Sequence, residues 1–305
     1  MKINDVLIDD TYAEAFNMYC SEVLITAATE YYAKVCAEEA TGFGTSIIGC
    51  PSESGIDMFY GSEHTPDYRP GYSIMICTRK PDVLKEQLIE RVGECVLTAP
   101  TTAMFNWTPF ERKDDKTQEQ RLDVKLHFFG DGYESKTVVN GRNCWKIPIM
   151  GGEFVCEEEI GYVKGVGGGN FFIMGETQAS ALMAAQAAVD AIHLVPGIIT
   201  PFAGGIVAGG SKVGSNKYAK FLKVSTNEKM CPSIRDRVPD TQIPEGVKAV
   251  FEIVIDGMNP EVIRHSMKHG ISAACTIPGV VKISAGNYGG KLGPHKFPLQ
   301  EIMQG

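Results

Sequence analysis

The chain has 305 residues, 44% hydrophobic and 22% charged, with a formal net charge of -8, which allows two domains of ordinary size with substantial cores and excludes a disordered chain. Lys and Arg are outnumbered by Asp and Glu, so a general nucleic-acid binder, which needs surplus cations to neutralise phosphates, is excluded. No apolar run reaches membrane-spanning length, and the start Met1-Lys2-Ile3-Asn4-Asp5 turns acidic at once, so no membrane partner or secretory signal is expected and the expected compartment is the cytoplasm.

In chain order, Val23 to Thr29 (VLITAAT) reads as a strand, EYYAKVCAEEAT as a helix, and Thr45 to Cys50 (TSIIGC) as a second strand. Tyr72 to Cys77 (YSIMIC) is a third strand. Pro81 then fits the first turn of a helix whose Leu84, Leu88, Val92 and Cys95 share one face. Leu122 to Phe129 alternates with period two, Val124, Leu126 and Phe128 inward and Lys125 and His127 outward, and is expected to close the set as a strand. The second half repeats the order. Asn170 to Gly175 (NFFIMG) is a strand, and Thr177 caps an Ala-rich helix running to about Leu194. IITPF and Ala249 to Gly257 (AVFEIVIDG) are the next strands. Asn259-Pro260-Glu261 starts a helix with Ile263, Met267 and Ile271 on its buried side, and Val280 to Gly286 ends the set. A β-α-β-β-α-β order met twice is that of the split βαβ unit. The expectation is therefore an α+β chain of two ferredoxin-like lobes, residues 1–150 and 151–305, with antiparallel sheets and helices on one face. The charge run from Glu111 to Gln120 reads as a solvated face.

Nine cysteines occur with no CxxC spacing, so they are expected to be isolated, reduced thiols rather than a metal ribbon or a disulfide framework. His265 and His269 lie one helical turn apart but share a face with Arg264 and Lys268, and no metal is expected there. Asp5, Asp9, Asp10 and Glu14 read as an acidic surface. Three Gly-rich segments stand out: Gly165 to Asn170, Gly204 to Tyr218 and Gly286 to Gly293. Such segments either form turns with positive φ or bring backbone N–H groups close to an anion. The second fails as a P-loop, because Ser211-Lys212 stand where Lys then Ser or Thr is required; the first precedes a strand instead of opening a helix, which disfavours a dinucleotide fingerprint. Lysines beside Ser and Asn favour a polyanionic ligand, with Asn170, Ser211, Lys212, Ser215, Asn216, Lys217, Asn287, Tyr288, Gly289 and Lys291 as candidate binding residues. Glu252 has apolar neighbours on both faces of its strand. A carboxyl kept from water there has a raised pKa and makes a candidate acid or base, unless it is a structural ion pair or sits at a strand end.

The stretches DDTYAEAF, VLITAAT, EEATGFGTSIIGCPSESGI, ECVLTAPTTAMFN, GGNFFIMG, ITPFAGGIVAGGSKVGSNKY, TNEKMCPS and ISAGNYGGKLG resemble the formylmethanofuran–tetrahydromethanopterin formyltransferase family, from Ile3 to about Leu292. The segment from Trp107 to Arg121 carries least of the likeness. The resemblance implies two ferredoxin-like lobes, a homodimer or homotetramer, no cofactor or metal, and formylmethanofuran and tetrahydromethanopterin as substrates. It also implies that the glutamate of the strand VFEIVI, Glu252, is the catalytic acid or base. Competing expectations are a subunit of a methylotroph transferase–hydrolase complex, a non-catalytic ligand-binding protein, and a Cys-dependent amidohydrolase.

Overall fold

The computed structural model describes residues 1–109, 120–210 and 212–305. The architecture is mixed α/β with a large mixed sheet. Two compact units, interleaved in sequence, make it up: an N-terminal unit of residues 18–44 and 51–165, and a C-terminal unit of residues 1–17, 45–50 and 166–305.

The N-terminal unit is built on β1 (Tyr12–Thr26), α1 (Glu30–Thr41), β2 (Glu53–Tyr60), β3 (Gly71–Thr78), α2 (Pro81–Val92) and β4 (Ala103–Asn106). β1 pairs antiparallel with β3 (Val23 opposite Ile74) and with β4 (Val23 opposite Asn106), and β2 lines the far side of β3, giving the order β4-β1-β3-β2. Val23, Ile25, Ile74 and Ile76 face Ala37, Ala40, Leu84, Leu88 and Val92 of the two helices, each larger side chain gaining roughly 1.5–3 kcal/mol from burial. The Thr29 side chain caps α1 by accepting from the Tyr32 amide. At its other end the buried Arg91 of α2 donates to the Ala40 and Gly42 carbonyls at 2.6 and 2.9 Å, satisfying acceptors that the helix end leaves open. A meander follows: β5 (Ser135–Val139), β6 (Arg142–Ile149) and β7 (Gly152–Glu157).

Two elements differ from the sequence reading. Thr45 to Cys50 is a turn, since the Gly49 and Cys50 amides both return to the Ser46 carbonyl at 3.0 and 2.7 Å; the strand is β2. Leu122 to Phe129 is no strand either. A three-residue strand ends at Leu122, Lys125 takes φ +49, and 126–130 form a 3-10 turn. Val124 and Leu126 are buried as expected, but Phe128 is 62% exposed, and the His127 ring stacks on Trp145 at 4.2 Å instead of standing in solvent. The closing strand of the set is β4, four residues long, all buried, and so without the alternation that marks a strand in sequence. The charge run at 111–119 lies outside the described residues.

The C-terminal unit takes the end of β8 (Ile160–Gly175), then α3 (Gln178–Ile192), β9 (Ile198–Ile199), β10 (Ala249–Gly257), α4 (Pro260–Ala274), β11 (Val280–Ser284) and β12 (His295–Pro298). β8 pairs antiparallel with β10 (Phe172 opposite Glu252) and β11 (Phe172 opposite Ser284), and β9 joins β10, giving β11-β8-β10-β9. Wholly antiparallel pairing does not hold: β7 runs parallel to β4, and Val6–Ile8 parallel to β11. Phe171, Ile173, Ile253 and Ile255 pack against Ala184, Ala188, Ile263, Met267 and Ile271 of α3 and α4. The Gly-rich run before Asn170 is not a loop but part of β8, with a bulge between Val166 and Gly169. A Cβ on Gly169 would come within 2.6 Å of the Ile263 Cγ2, so glycine here lets α4 approach the sheet. The opposite face carries Phe172 and Met174, covered by Met230, Ile243 and Val247.

The cysteines are not all isolated. Cys20 and Cys77 stand directly opposite in the β1–β3 register and form a disulfide; spacing in sequence carries no trace of a pairing made by strand register. Among the described residues no helix is long and apolar enough to cross a membrane.

Candidate active site

Glu252 lies in the middle of β10 and is 4% exposed. With period two its side chain falls on the Phe172 face, away from α3 and α4. Its backbone is clamped on the open edge by Val207, whose amide donates to the Glu252 carbonyl at 2.8 Å and whose carbonyl accepts the Glu252 amide at 3.0 Å. The second Gly-rich segment therefore runs past the carboxyl-bearing strand.

The third segment supplies Tyr288. Partial burial raises its phenol above the ordinary value, the Glu252 charge adds to this, a backbone hydrogen bond from Val213 opposes it, and the Glu14 charge adds again. Glu252 and the Tyr288 hydroxyl thus share one electrostatic environment, in which the phenol keeps its proton at neutral pH. Asn170, on the same sheet face as Glu252, is held by that segment: its Nδ2 donates to the Gly168 and Gly286 carbonyls at 3.1 and 3.2 Å, and its Oδ1 accepts the Gly286 amide at 2.6 Å. Its amide is committed to holding the loop. Asn287 does likewise, donating to the Thr11 hydroxyl and the Tyr12 carbonyl at 3.2 and 3.3 Å and accepting from the Gly289 amide.

Glu14 is the residue that sequence reasoning missed. Expected at the surface, it is fully buried. Oε2 accepts the Tyr288 and Gly290 amides at 2.7 and 3.0 Å, and Oε1 accepts those of Leu292 and Gly293. Burial would raise its pKa, but the four N–H donors outweigh it and hold the carboxyl below the ordinary value. The available signal was the one used for Glu252, a lone acid between Ala13 and Ala15 in an alternating strand; proximity to Asp9 and Asp10 hid it. The N–H groups expected to grip an anionic ligand already grip this one.

The lysines divide. Lys212 is ion-paired with Glu228, to which Asn216 also donates at 3.4 Å, and the Lys212 hydrogen bond holds the Glu228 carboxyl below its usual range. The Ser215 hydroxyl accepts from the Tyr218 amide at 2.9 Å. Lys217 and Lys291 are exposed, the former 5.4 Å from the Tyr218 ring centroid. Ser211 lies outside the described residues. His265 and His269 have ring centroids 4.3 Å apart, and among the described residues no group of three or more His, Cys, Asp or Glu could hold a metal ion. A cavity of about 560 Å³ sits elsewhere, in the N-terminal unit, lined by residues including Trp107, Arg121, Arg142, Glu157 and Glu159. Its arginines are paired, Arg142 with Glu157 at 2.9 Å and Arg121 with Glu159 at 2.5 Å.

Residues 1–149 match the family described as formylmethanofuran-tetrahydromethanopterin formyltransferase, and residues 152–302 its proximal lobe. The chain belongs to this formyltransferase family. Formyltransferases from Methanothermobacter thermautotrophicus and Archaeoglobus fulgidus are 58% and 59% identical to it over 302 residues, 99% of this chain and all of each relative. The solved formyltransferase from Methanosarcina barkeri superimposes with a TM-score of 0.92 at 56% identity, covering 99% of this chain and 100% of that one. A formyltransferase/hydrolase complex from Methylorubrum extorquens, solved with methylofuran, matches at a TM-score of 0.90 and 37% identity, covering 99% and 98%. The chain is accordingly a transferase of the formyl group from formylmethanofuran to tetrahydromethanopterin.

Proposed function

We propose that Glu252 carries the proton in this formyl transfer and that Tyr288 steadies the charge that develops. The donor is an N-formyl amide, unreactive because its nitrogen lone pair is delocalised. The pterin N5 attacks the formyl carbon, and Glu252 takes the N5 proton. The tetrahedral intermediate then breaks its bond to the furan-side nitrogen, which leaves as an amine with the proton returned by Glu252. No step calls for a metal or prosthetic group. A phenol held protonated donates to the oxyanion, a contribution of roughly 3 kcal/mol for one such donor. The carrying observation is an acid 4% exposed among the apolar neighbours Val250, Phe251, Ile253 and Val254, with the Tyr288 hydroxyl in its field. Exposed Lys217 and Lys291 are suited to the anionic substrate tails, with Ser215, Asn216 and Gly289 shaping the segments that carry them.

The test is Glu252→Gln in a two-substrate assay with purified protein. Turnover falls by about 10²–10⁴ with both KM values nearly unchanged; full turnover in the variant refutes the assignment. A nucleophilic role is disfavoured for the buried cysteines, because burial pushes the Cys36, Cys144 and Cys275 thiols up to about 11 and Cys156 to about 12.

We further infer two ferredoxin-like lobes divided near 150/151. The strand orders β4-β1-β3-β2 and β11-β8-β10-β9, each with two crossing helices, support this, as do the family matches that end at 149 and resume at 152. A homo-oligomer is supported by the hairpin at 212–225, which exposes the large apolar side chains Tyr218, Phe221 and Leu222 (50%, 84% and 47%) among its lysines; light scattering at several salt concentrations tests it. Assembly with a hydrolase is the second reading, favoured by the likeness to the Methylorubrum extorquens complex and tested by copurification from the native source.

A further inference from the structure

We infer that Glu14 is a positioning residue for the transfer site: its carboxylate is the resident anion around which residues 286–293 fold, and through them it holds the Tyr288 side chain beside Glu252. This rests on the reading of Glu252 and Tyr288 given above.

The segment Gly286 to Gly293 contains four glycines among its first five and last residues and little apolar surface to fix its path. Gly289 and Gly290 both adopt positive φ, +69° and +78°, so successive amides turn inward to form a concave nest of N–H donors. Such donors must find an acceptor once water is excluded. Glu14 meets that demand with both oxygens, two donors to each. The exchange is mutual, because a fully buried carboxylate is tolerated only when its lone pairs are filled. The strand side adds two anchors at the near end. The Glu14 amide donates to the Gly286 carbonyl at 3.2 Å, and Asn170 brackets the same peptide from β8. Tyr288 is thereby held through its own amide, one of the four bound to Glu14, while its ring reaches toward Val213 and Glu252. Glu14 shares its face of β1 with Tyr12 and Phe16, while Ala13 and Ala15 turn to the apolar core on the other face; an apolar residue at position 14 would leave the loop without a template.

The experiment combines amide hydrogen exchange with a kinetic double-mutant cycle on the intact enzyme. Glu14→Gln loses the charge and turns an NH2 toward two N–H donors. The amides of Tyr288, Gly290, Leu292 and Gly293 should lose protection, and kcat should fall by about 10²-fold with KM values within about threefold. In a Tyr288→Phe background the same substitution should change kcat by less than about threefold, since the group it positions is already gone. Losses that multiply in the double variant, or loop protection and turnover both retained, overturn the inference. If Glu14→Gln does not fold, Gly290→Ala, at an exposed site whose amide is one of the four donors, strains the same nest and should lower kcat by roughly fivefold in the wild-type background only; equal loss in both backgrounds overturns the inference. Unchanged turnover in Glu252→Gln would sink the site reading itself, whereas a dead Glu252→Gln with an additive cycle sinks only the role of Glu14.

Discussion

Replacing Glu22 by glutamine isolates the energetic effect of a buried acid pair. Glu22 of β1 and Asp57 of β2 are 5% and 6% exposed in the N-terminal unit, hydrogen-bonded to each other, with the Ser73 hydroxyl also on Glu22. Burial first, and the Asp57 charge second, push the Glu22 carboxyl from 4.5 up to about 8. The folded chain therefore keeps a proton that the unfolded chain releases near pH 4.5. Between those two values the native state binds more protons than the unfolded state, so stability falls as pH rises, by at most roughly 1.4 kcal/mol per pH unit, and levels off above about pH 8. Over the whole interval this amounts to on the order of 5 kcal/mol. Glu22→Gln keeps shape and hydrogen bonding to Asp57 but has no proton to lose. Thermal unfolding of both proteins from pH 5 to pH 9 should show the variant gaining on the wild type as pH rises, by on the order of 10 °C in total for a unit of this size. Groups that titrate in both proteins cancel in the difference. A gap in Tm that stays constant across this range would refute the reasoning.

Arg91→Ala removes the cation that closes the end of α1 and leaves the Ala40 and Gly42 carbonyls covered but unsatisfied; urea unfolding should show a loss of about 3 kcal/mol. Gly169→Ala drives a methyl group into Ile263, 2.6 Å away, and should destabilise by roughly 1–3 kcal/mol. Trimming Ile263 to valine in the same chain should recover part of that loss, and no recovery would mean the strain lies elsewhere. Alkylation of denatured, unreduced protein should label seven of the nine cysteines and spare Cys20 and Cys77. Reduction should then lower stability by roughly 2–4 kcal/mol.

Much of the candidate site is legible in residue type and spacing. Glu252 stood out because its neighbours leave no wet face for a carboxylate, and its burial follows from that same pattern. Tyr288 and Asn170 stand out through their Gly-rich surroundings; the Tyr288 hydroxyl lies in the field of that acid and Asn170 shares its sheet face, though Asn170 and Asn287 spend their amides on the loop. Lys212 looked like a cation for a ligand, but Glu228, sixteen residues on, takes its charge. Glu14 was hidden by its sequence neighbours, since surface acids and a buried one look alike until the strand beneath them is placed. The paired acids Glu22 and Asp57 went unseen for a similar reason: 35 residues separate them, and only the β1–β3–β2 stack brings them together.

The sequence by itself determined whatever depends on nearby residues: the four long helices and their caps, the central strands, and the dryness of position 252. These are set by side-chain periodicity and by hydrogen bonds that close within a few residues. Tertiary structure alone decided which strand followed Ser46, that a four-residue buried segment completes the N-terminal sheet, that Cys20 faces Cys77, and that a glutamate near the start of the chain fills a nest near its end. Each of these depends on register between distant segments, where partners are chosen by mutual satisfaction of buried polar groups and leave no local pattern behind.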